Sequence, residues 1–156
     1  MNAALGITAP RGPVGRLAVT ALSGPSRTVA GMTTETTMTR LQLGAMGEAL
    51  AVDHLTRMGL RILHRNWRCR YGELDVIACD EATRTAVFVE VKTRTGDGYG
   101  GLAYAVTERK VRRLRRLAAL WLAGQDTRWA ALRIDVIRVR IGRRRTPEIT
   151  HLQGIG

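Results

Sequence analysis

Lysine is almost missing from this chain, because 23 of its 25 basic residues are arginines and only Lys92 and Lys110 are lysines. Cysteine is equally scarce. Cys69 and Cys79 form neither a CxxC pair nor a zinc-ligand pattern, so we expect free thiols in the cytoplasm. Aromatic residues make up 4% of the sequence, which argues against base-stacking modules such as the RNA-recognition sheet. No apolar run approaches the roughly 18 residues of a membrane span, so we expect no membrane partner.

A strong excess of positive charge is what the sequence does have. Its 25 basic and 13 acidic residues give a net charge of +12 at pH 7, and its pI is about 11.4. Such a basic chain is typical of proteins that bind a polyanion, and nucleic acid is the first expectation. The length of 156 residues fits one domain, and the 45% hydrophobic fraction is ordinary for a globular protein.

The first 38 residues differ in composition from the rest of the chain. They are rich in glycine, alanine, serine, threonine and proline, and they contain a single acidic residue. We expect residues 1–38 to form a disordered extension, or translation to start at Met32 or Met38 rather than at Met1. Residues 39–156 then form the single folded domain.

Hydrophobic periodicity after residue 39 alternates between the helical and the extended pattern. The predicted elements are a helix over 42–58, strands over 60–68, 74–79 and 87–92, a helix from Thr107 to about Ala123, and strands around 134–139 and 148–152. Short turns between the first three strands predict an antiparallel meander, and the helical crossover predicts a parallel fourth strand. The order αβββαβ(β) therefore predicts an α/β (α+β) domain, a mixed β-sheet of four to five strands flanked by helices. A glycine-rich loop over 94–104 and an arginine-rich turn at 143–145 connect the later elements.

Glu90-Val91-Lys92 places an acid and an amine on one face of a predicted strand. Residues two apart share a face, while the valines at 87, 89 and 91 face the opposite layer. A strand buried on one side and charged on the other suggests a chemical role for the charged pair. The alternative is a solvent-exposed ion pair, which is common and contributes little to stability.

Two other patterns are interpreted as structural. Glu108-Arg109-Lys110 repeats the E-x-K triplet, but residues two apart on a helix project about 200° from one another, so they cannot form a same-face pair. Lys110 instead falls in register with the inward-facing Leu114, which puts it at the edge of that face. Three scattered histidines are also expected to be structural: His54, His64 and His151.

Asp75 lies within an apolar strand, where an acid is costly to bury unless it is paired or binds a metal. Across the predicted hairpin it falls close to Glu90 or Lys92. Converging carboxylates repel each other but suit a hard cation such as Mg²⁺, which prefers oxygen ligands. Glu48 is a further acid on the inward stripe of the first helix. Its alternative is a carboxylate favoured by the dipole of the helix N-terminus.

Five sequence blocks carry a resemblance to a known family. They are Gly44–Glu48, Arg65–Arg68, Gly72–Ala78, Phe88–Lys92 and Lys110–Leu114. Their order is similar to the YraN family of predicted bacterial endonucleases. Asp75 followed by Glu90-x-Lys92 resembles the PD-(D/E)xK signature of restriction-endonuclease-like nucleases. The resemblance implies a fold shared with archaeal Holliday-junction resolvases and tRNA-splicing-type endonucleases. One departure is that Leu74 stands where the signature has proline. This difference changes none of the proposed ligand residues.

The resemblance implies a metal-dependent endonuclease that hydrolyses DNA phosphodiester bonds, favouring branched or single-stranded DNA, in repair or recombination. Carried over by position, Asp75 and Glu90 bind Mg²⁺ (or Mn²⁺) with the help of the Val91 carbonyl. Lys92 positions the attacking water and stabilises charge, and Glu48 holds a second metal or a metal-bound water. A homodimer would suit symmetric cutting of two strands.

Six basic residues are candidates for contacts with the nucleic-acid backbone. They are Arg65, Arg68, Arg70, Arg94, Lys110 and Arg113. A solvated basic face is the alternative for the arginines. Backbone contacts carry no sequence information, so we expect a preference for DNA structure rather than for base sequence. Two other functions stay open: a nucleic-acid-binding module that does not cleave, and an RNA-directed nuclease.

Overall fold

The computed structural model describes residues 17–21, 38–95, 106–142 and 146–155. Its elements in chain order are β1 (Leu17–Ala21), α1 (Arg40–Arg57), β2 (Arg61–Cys69), β3 (Gly72–Asp80), β4 (Thr85–Thr95), α2 (Glu108–Ala123), β5 (Ala131–Ile141) and β6 (Glu148–Leu152). The predicted α/β class, and the order of a helix, three strands, a helix and two strands from α1 onward, are confirmed. The ends of the predicted elements differ from the observed ones by a few residues.

The strands form one mixed sheet with the order β1-β6-β5-β4-β3-β2. β2, β3 and β4 are an antiparallel meander, and β4 and β5 run parallel in a ladder from Thr85↔Ala131 to Thr95↔Ile141. Both arrangements were predicted from the connections. Short turns reverse the chain, whereas the α2 crossover brings it back to start β5 in the direction of β4.

β1 adds a strand that the sequence patterns did not predict. It pairs with β6 in antiparallel register, from Leu17↔Leu152 to Ala21↔Glu148. β1 lies within residues 1–38, which were assigned to an extension outside the domain. The rest of that segment lies outside the described residues, as do the arginine-rich turn and most of the glycine-rich loop. A start at Met32 or Met38 stays a prediction.

The two helices pack on opposite faces of the sheet. Ala51 and Leu55 of α1 join a buried cluster with the valines of β4, whereas Leu114 and Leu117 of α2 pack with Phe88. The alternation along β4 therefore follows the prediction, because Val87, Val89 and Val91 all lie in the α1 cluster. Glu90 and Lys92 consequently belong to the face that α2 covers.

Polar side chains define where both helices begin. The Thr107 hydroxyl accepts a hydrogen bond from the Lys110 amide, which confirms the predicted N-cap of α2. At the start of α1, Thr39 and Gln42 form a reciprocal capping box. None of the helices in the described ranges is long and apolar enough to cross a membrane.

Both cysteines are free thiols, as predicted. Cys79 is buried in β3, and burial raises the pKa of its thiol. Neither thiol is therefore part of a disulfide that holds the fold together.

Candidate active site

A fork opens where β3 and β4 stop pairing. Their ladder ends at Val76↔Val89, beyond which β3 remains paired with β2 and β4 with β5. Strands that separate in this way leave backbone groups in need of other partners. Asp75 and Glu90 are the first residues past the last pair, so the fork brings these two predicted site residues together.

The Asp75 carboxylate takes the place of a strand partner at the fork. Its Oδ2 accepts a hydrogen bond from the Val91 amide at 2.7 Å. Burial raises the pKa of Asp75 from 3.8 to about 6, although this hydrogen bond lowers it; nearby Glu90 and Glu48 raise it further, and Lys92 lowers it. Asp75 is therefore a desolvated acid whose pKa is influenced by the charges of all three other predicted catalytic residues.

Glu90 and Lys92 form an ion pair on one face of β4. The Glu90 side chain is only 4% exposed, and its Oε1 lies 2.6 Å from the Lys92 Nζ. Its other oxygen lies 3.4 Å from the Arg113 guanidinium of α2. The alternative of a solvent-exposed ion pair is therefore excluded. An ion pair whose carboxylate is buried contributes little net stability, which favours a chemical role for this one.

Glu48 reaches the fork from α1. Its Oε2 accepts a hydrogen bond from the Asn66 side chain at 2.9 Å. Asn66 stands on β2 between the pairs Arg65↔Val76 and Trp67↔Leu74, and so opposite Asp75. Its φ of 52° is left-handed, a conformation that asparagine tolerates better than most residues.

Gly47 explains how α1 comes close enough to place Glu48 there. A Cβ built on Gly47 would lie 1.8 Å from the Thr93 hydroxyl oxygen on β4. Only a residue without a side chain permits this approach of helix to strand. The glycine that precedes Glu48 thus sets the distance between α1 and the sheet.

Lys110 of α2 lies within electrostatic range of the Glu90–Lys92 pair. Burial lowers the pKa of its amine, and the positive charges of Lys92, Arg113 and Arg94 lower it further, whereas Glu90 raises it. The charges of the Glu90–Lys92 pair therefore reach Lys110, and its half-buried position agrees with the predicted edge of the helix face. Glu108, the acid of the Glu108-Arg109-Lys110 triplet, pairs with Arg112 at 3.1 Å. Helix geometry had predicted that Glu108 and Lys110 would not share a face.

Of three other predicted basic residues, two make their contacts with side chains outside this group. Arg65 is exposed on β2, Arg68 pairs with Glu73 at 3.2 Å, and Arg70 lies over the Tyr71 ring. In the part of the chain that the structure describes, none of the three makes an ion pair or hydrogen bond with a predicted catalytic residue. The residues that the fold brings together are Glu48, Asp75, Glu90, Lys92, Arg94, Lys110 and Arg113.

The donor chemistry of the fork suits a hard divalent cation, because carboxylate oxygens are the ligands that Mg²⁺ prefers. Asp75 and Glu90 supply such oxygens, and Asp75 is destabilised by the negative charge of Glu90. Across the described ranges, however, no three acidic, histidine or cysteine side chains lie close enough together to hold a metal ion. Two carboxylates, those of Asp75 and Glu90, therefore suit a metal ion at the fork. The role of Glu48 as a further ligand stays a prediction.

Asn66 is a site residue that the sequence analysis missed. It was noticed only as part of the block Arg65–Arg68, with no role assigned. An amide in a strand, opposite an acid that was already suspected, was the signal that could have identified it.

A buried polar network on the α1 side of the sheet was missed as well. His54 and His151 are joined by a 3.1 Å hydrogen bond between their rings, and His151 contacts the Asp135 carboxylate at 3.0 Å. Asp135 also accepts three hydrogen bonds from the Arg133 guanidinium. The argument that singled out Asp75, an acid inside an apolar strand, applies equally to Asp135.

The fold and the site define a class: a mixed α/β domain with a buried carboxylate–lysine pair at a strand fork. Residues 47–139 match the model of Uncharacterised protein family UPF0102, and the chain belongs to this family. The resemblance seen in the sequence is confirmed at the level of this family. Membership of the nuclease superfamily stays a prediction.

Three mycobacterial relatives show how similar the chain is to other members. It is 88% identical over 128 residues to the UPF0102 protein of Mycobacterium avium (strain 104), which covers 82% of this chain and 100% of that protein. The identity to a UPF0102 protein of Mycobacterium tuberculosis is 83% over 128 residues, 80% of this chain and 100% of the relative. For the UPF0102 protein of Mycobacterium ulcerans (strain Agy99) it is 78% over 120 residues, 77% and 98% respectively. The names of these relatives state no activity.

Proposed function

We propose that this protein is a metal-dependent endonuclease that hydrolyses DNA phosphodiester bonds. The observation that carries the proposal is the buried Glu90, paired with Lys92 and beside the desolvated Asp75. A chain with a net charge of +12 needs no buried carboxylates to bind a polyanion. Acids at the point where a phosphate would approach are instead the ligand type for a divalent cation.

Each residue of the fork has a role in this proposal. Asp75 and Glu90 would hold Mg²⁺ or Mn²⁺ together with the Val91 carbonyl, and Glu48 would hold a second cation or a water molecule. When bound, the cation supplies positive charge that polarises the phosphate and lowers the pKa of a water nucleophile. Lys92, released from Glu90, would orient the attacking water and stabilise the negative charge that develops on phosphate.

The basic residues of the site would bind the DNA backbone. Arg113 contacts Glu90, and the charges of Lys92, Arg94 and Arg113 all act on Lys110, so a phosphate at the fork would meet several cations at once. Contacts of this kind position the strand without reading bases, which favours selection of branched or single-stranded DNA. We place the activity in DNA repair or recombination in the cytoplasm, with a homodimer for symmetric cutting.

Cleavage assays with matched variants test the proposal. Purified protein is incubated with junction, flap, single-stranded DNA and RNA substrates in Mg²⁺ or Mn²⁺. We expect Lys92→Ala and Glu90→Gln to lower the cleavage rate by about 10²–10⁴-fold while DNA binding is retained. Glu108→Gln is the control, because Glu108 begins the second E-x-K triplet but is exposed and paired with Arg112. Tight binding of the substrates without cleavage in either Mg²⁺ or Mn²⁺ would refute the proposed endonuclease activity.

A nucleic-acid-binding module is the second candidate, and one observation favours it. Both oxygens of Glu90 already face cations, Lys92 and Arg113, so holding these two basic residues in place would by itself account for the buried acid. In that case Glu90→Gln weakens binding to DNA or RNA, and no variant changes a cleavage rate. Cleavage of RNA but not of DNA in the same assay would instead identify an RNA-directed nuclease.

A further inference from the structure

Among the tyrosine, tryptophan and phenylalanine side chains in the described ranges, that of Tyr71 is the exposed one. It lies in the turn between β2 and β3 and is 40% exposed. Two guanidinium groups stand over the ring, that of Arg70 at 4.6 Å and that of Arg116 at 4.3 Å from its centroid. Arg70 also donates a hydrogen bond to the Tyr71 hydroxyl. The ring is therefore held in a defined position while part of it stays open to solvent.

α2 connects this ring with the fork. Arg113 and Arg116 are three residues apart on one helix face, and Arg113 contacts Glu90 whereas Arg116 covers Tyr71. Gly72, next to Tyr71, packs on the same arginine, since a Cβ built there would lie 3.2 Å from the Arg113 guanidinium. One face of α2 therefore links the Tyr71 ring with the Glu90 carboxylate at the fork.

We propose that Tyr71, flanked by Arg70 and Arg116, is a stacking platform for one unpaired base of a DNA strand whose neighbouring phosphate lies at the fork. The inference rests on the proposed function and names its substrate class. That class is DNA with an unpaired nucleotide beside the bond to be cut, as in single strands, flaps and junctions. A base inside a duplex is already stacked and paired, so it cannot cover the ring without being flipped out.

The two arginines suit this task in complementary ways. They fix the ring before the base arrives, which reduces the conformational entropy lost on binding. Either guanidinium can turn from the ring to a backbone phosphate, because arginine both stacks on aromatic faces and binds phosphate oxygens. Every base has a π-face, so stacking is tolerant of sequence and agrees with a site that reads DNA structure.

Binding measured without divalent metal tests the platform separately from cleavage. The probes are fluorescent oligothymidine of about 15 nucleotides, within the range that single-strand-binding folds cover, and a blunt duplex of the same length. Fluorescence anisotropy in EDTA compares Tyr71→Ala with Tyr71→Phe, which keeps the ring and loses the hydroxyl. We expect Tyr71→Ala to weaken single-strand binding by about 5- to 100-fold, as loss of one stacked base would. Duplex binding by Tyr71→Ala and both affinities of Tyr71→Phe should stay at the wild-type level.

A matched pair of arginine variants separates the platform from general charge. Arg115 and Arg116 are neighbouring exposed residues of α2, but Arg116 is the one over the Tyr71 ring. Arg116→Gln should reduce single-strand affinity more than duplex affinity, whereas Arg115→Gln should change both alike. A single 2-aminopurine in the oligonucleotide should be quenched by the wild type and by Tyr71→Phe but not by Tyr71→Ala.

Two results would overturn the platform. One is equal weakening of single-strand and duplex binding by Tyr71→Ala, and the other is a Tyr71→Phe variant as impaired as Tyr71→Ala. If selective single-strand binding depends on the ring but no substrate is ever cleaved, the endonuclease proposal fails and the platform stands. If cleavage depends on Lys92 but Tyr71→Ala binds single strands normally, only the platform fails.

Discussion

Burial of charge separates Glu90 from the surface acids Glu81 and Glu108. The ion pairs of Glu81 and Glu108 lie on the surface, with acid side chains 66% and 88% exposed, and pairs of this kind contribute little to stability. Glu90 is 4% exposed, so its desolvation has to be offset by Lys92 and Arg113. The desolvation of Asp75 is offset less well, by one hydrogen bond from the Val91 amide, and the pKa of Asp75 is raised as a result. At the scale of single residues, the site is a place where the fold tolerates an unfavourable charge.

Replacement of Asp75 by asparagine is expected to stabilise the metal-free protein at neutral and alkaline pH. Burial raises the pKa of the folded state to about 6 from 3.8, so ionised Asp75 destabilises the fold above about pH 6, and this effect vanishes below about pH 4. We expect Asp75→Asn to raise the free energy of unfolding by about 1–3 kcal/mol at pH 8, and by little at pH 4. Urea denaturation in EDTA at the two pH values measures the difference.

Asp80→Asn is the control for this prediction. Asp80 accepts a hydrogen bond from the Thr83 amide, and this bond lowers the pKa of its carboxyl. Loss of its charge should therefore not stabilise the fold at either pH. Unchanged stability of Asp75→Asn at pH 8 would show that Asp75 is not desolvated.

At the scale of elements, the contact between α1 and β4 determines whether Glu48 reaches the fork. The helix itself follows from local signals, a capping box at Thr39 and an apolar face with Ala51 and Leu55. Its depth against the sheet follows from Gly47, which sits against the Thr93 side chain. The predicted inward stripe placed Glu48 correctly near the sheet, and Gly47 beside it is the buried glycine of α1.

Gly47→Ala is expected to push α1 away from β4. The new methyl group would lie 1.8 Å from the Oγ1 and 2.9 Å from the Cβ of Thr93, whose branched side chain has few ways to move. We expect the free energy of unfolding to fall by about 1–3 kcal/mol. Cleavage of DNA should fall with it, because Glu48 moves with the helix. Thermal or urea denaturation measures the first effect.

Gly44→Ala provides the comparison on the same helix. A Cβ at Gly44 meets nothing within 4 Å, so alanine there should stabilise α1 by about 0.5–1 kcal/mol through its higher helix propensity. Equal behaviour of the two variants would show that α1 does not approach β4 as closely as described.

At the scale of the whole molecule, one polar network joins three elements on the α1 face. His54 of α1 contacts His151 of β6, which contacts Asp135 of β5. Asp135 is fully buried and also accepts hydrogen bonds from Arg133 and from the Gly154 amide. Such a network specifies how the strands and the helix fit together, because each buried polar group needs its partner. The sequence analysis expected its two histidines to be structural and did not predict that they would meet each other and Asp135.

His54→Gln is expected to flatten the pH dependence of stability between about pH 7.5 and pH 5. Burial lowers the pKa of His54 below 6.5, and the charges of His151 and Arg57 lower it further, whereas Asp53 raises it. Below pH 6.5 the unfolded chain therefore takes up a proton that the folded protein resists, and the free energy of unfolding falls. Glutamine keeps a donor for His151 but does not titrate.

The difference between variant and wild type in urea denaturation at several pH values isolates this contribution from that of Asp75. His64→Gln is the control, because His64 is exposed on β2, and its profile should match the wild type. A His54→Gln profile that also matches the wild type would contradict a desolvated His54.

Much of the fold could be predicted because its signals are local. Thr107 begins α2, Gly124 follows its end, and β6 spans Glu148–Leu152 as the alternation indicated. The site was predictable in part: the register of a hairpin places Asp75 near Glu90. No pattern indicated that the β3–β4 ladder would stop at Val76↔Val89, because the point where two strands part depends on what packs on each of them.

The sequence by itself determined the order of the elements and the faces of β4, since side-chain periodicity is a property of neighbouring residues. It also showed that two lysines stand out in an arginine-rich chain. Only the tertiary structure decided that Glu90 is buried, that the charge of Lys92 acts on Lys110, and that His54 meets His151, 97 residues away. Burial and long-range contact depend on which surfaces pack together. The packing of α1 and α2 on opposite faces of one sheet set both.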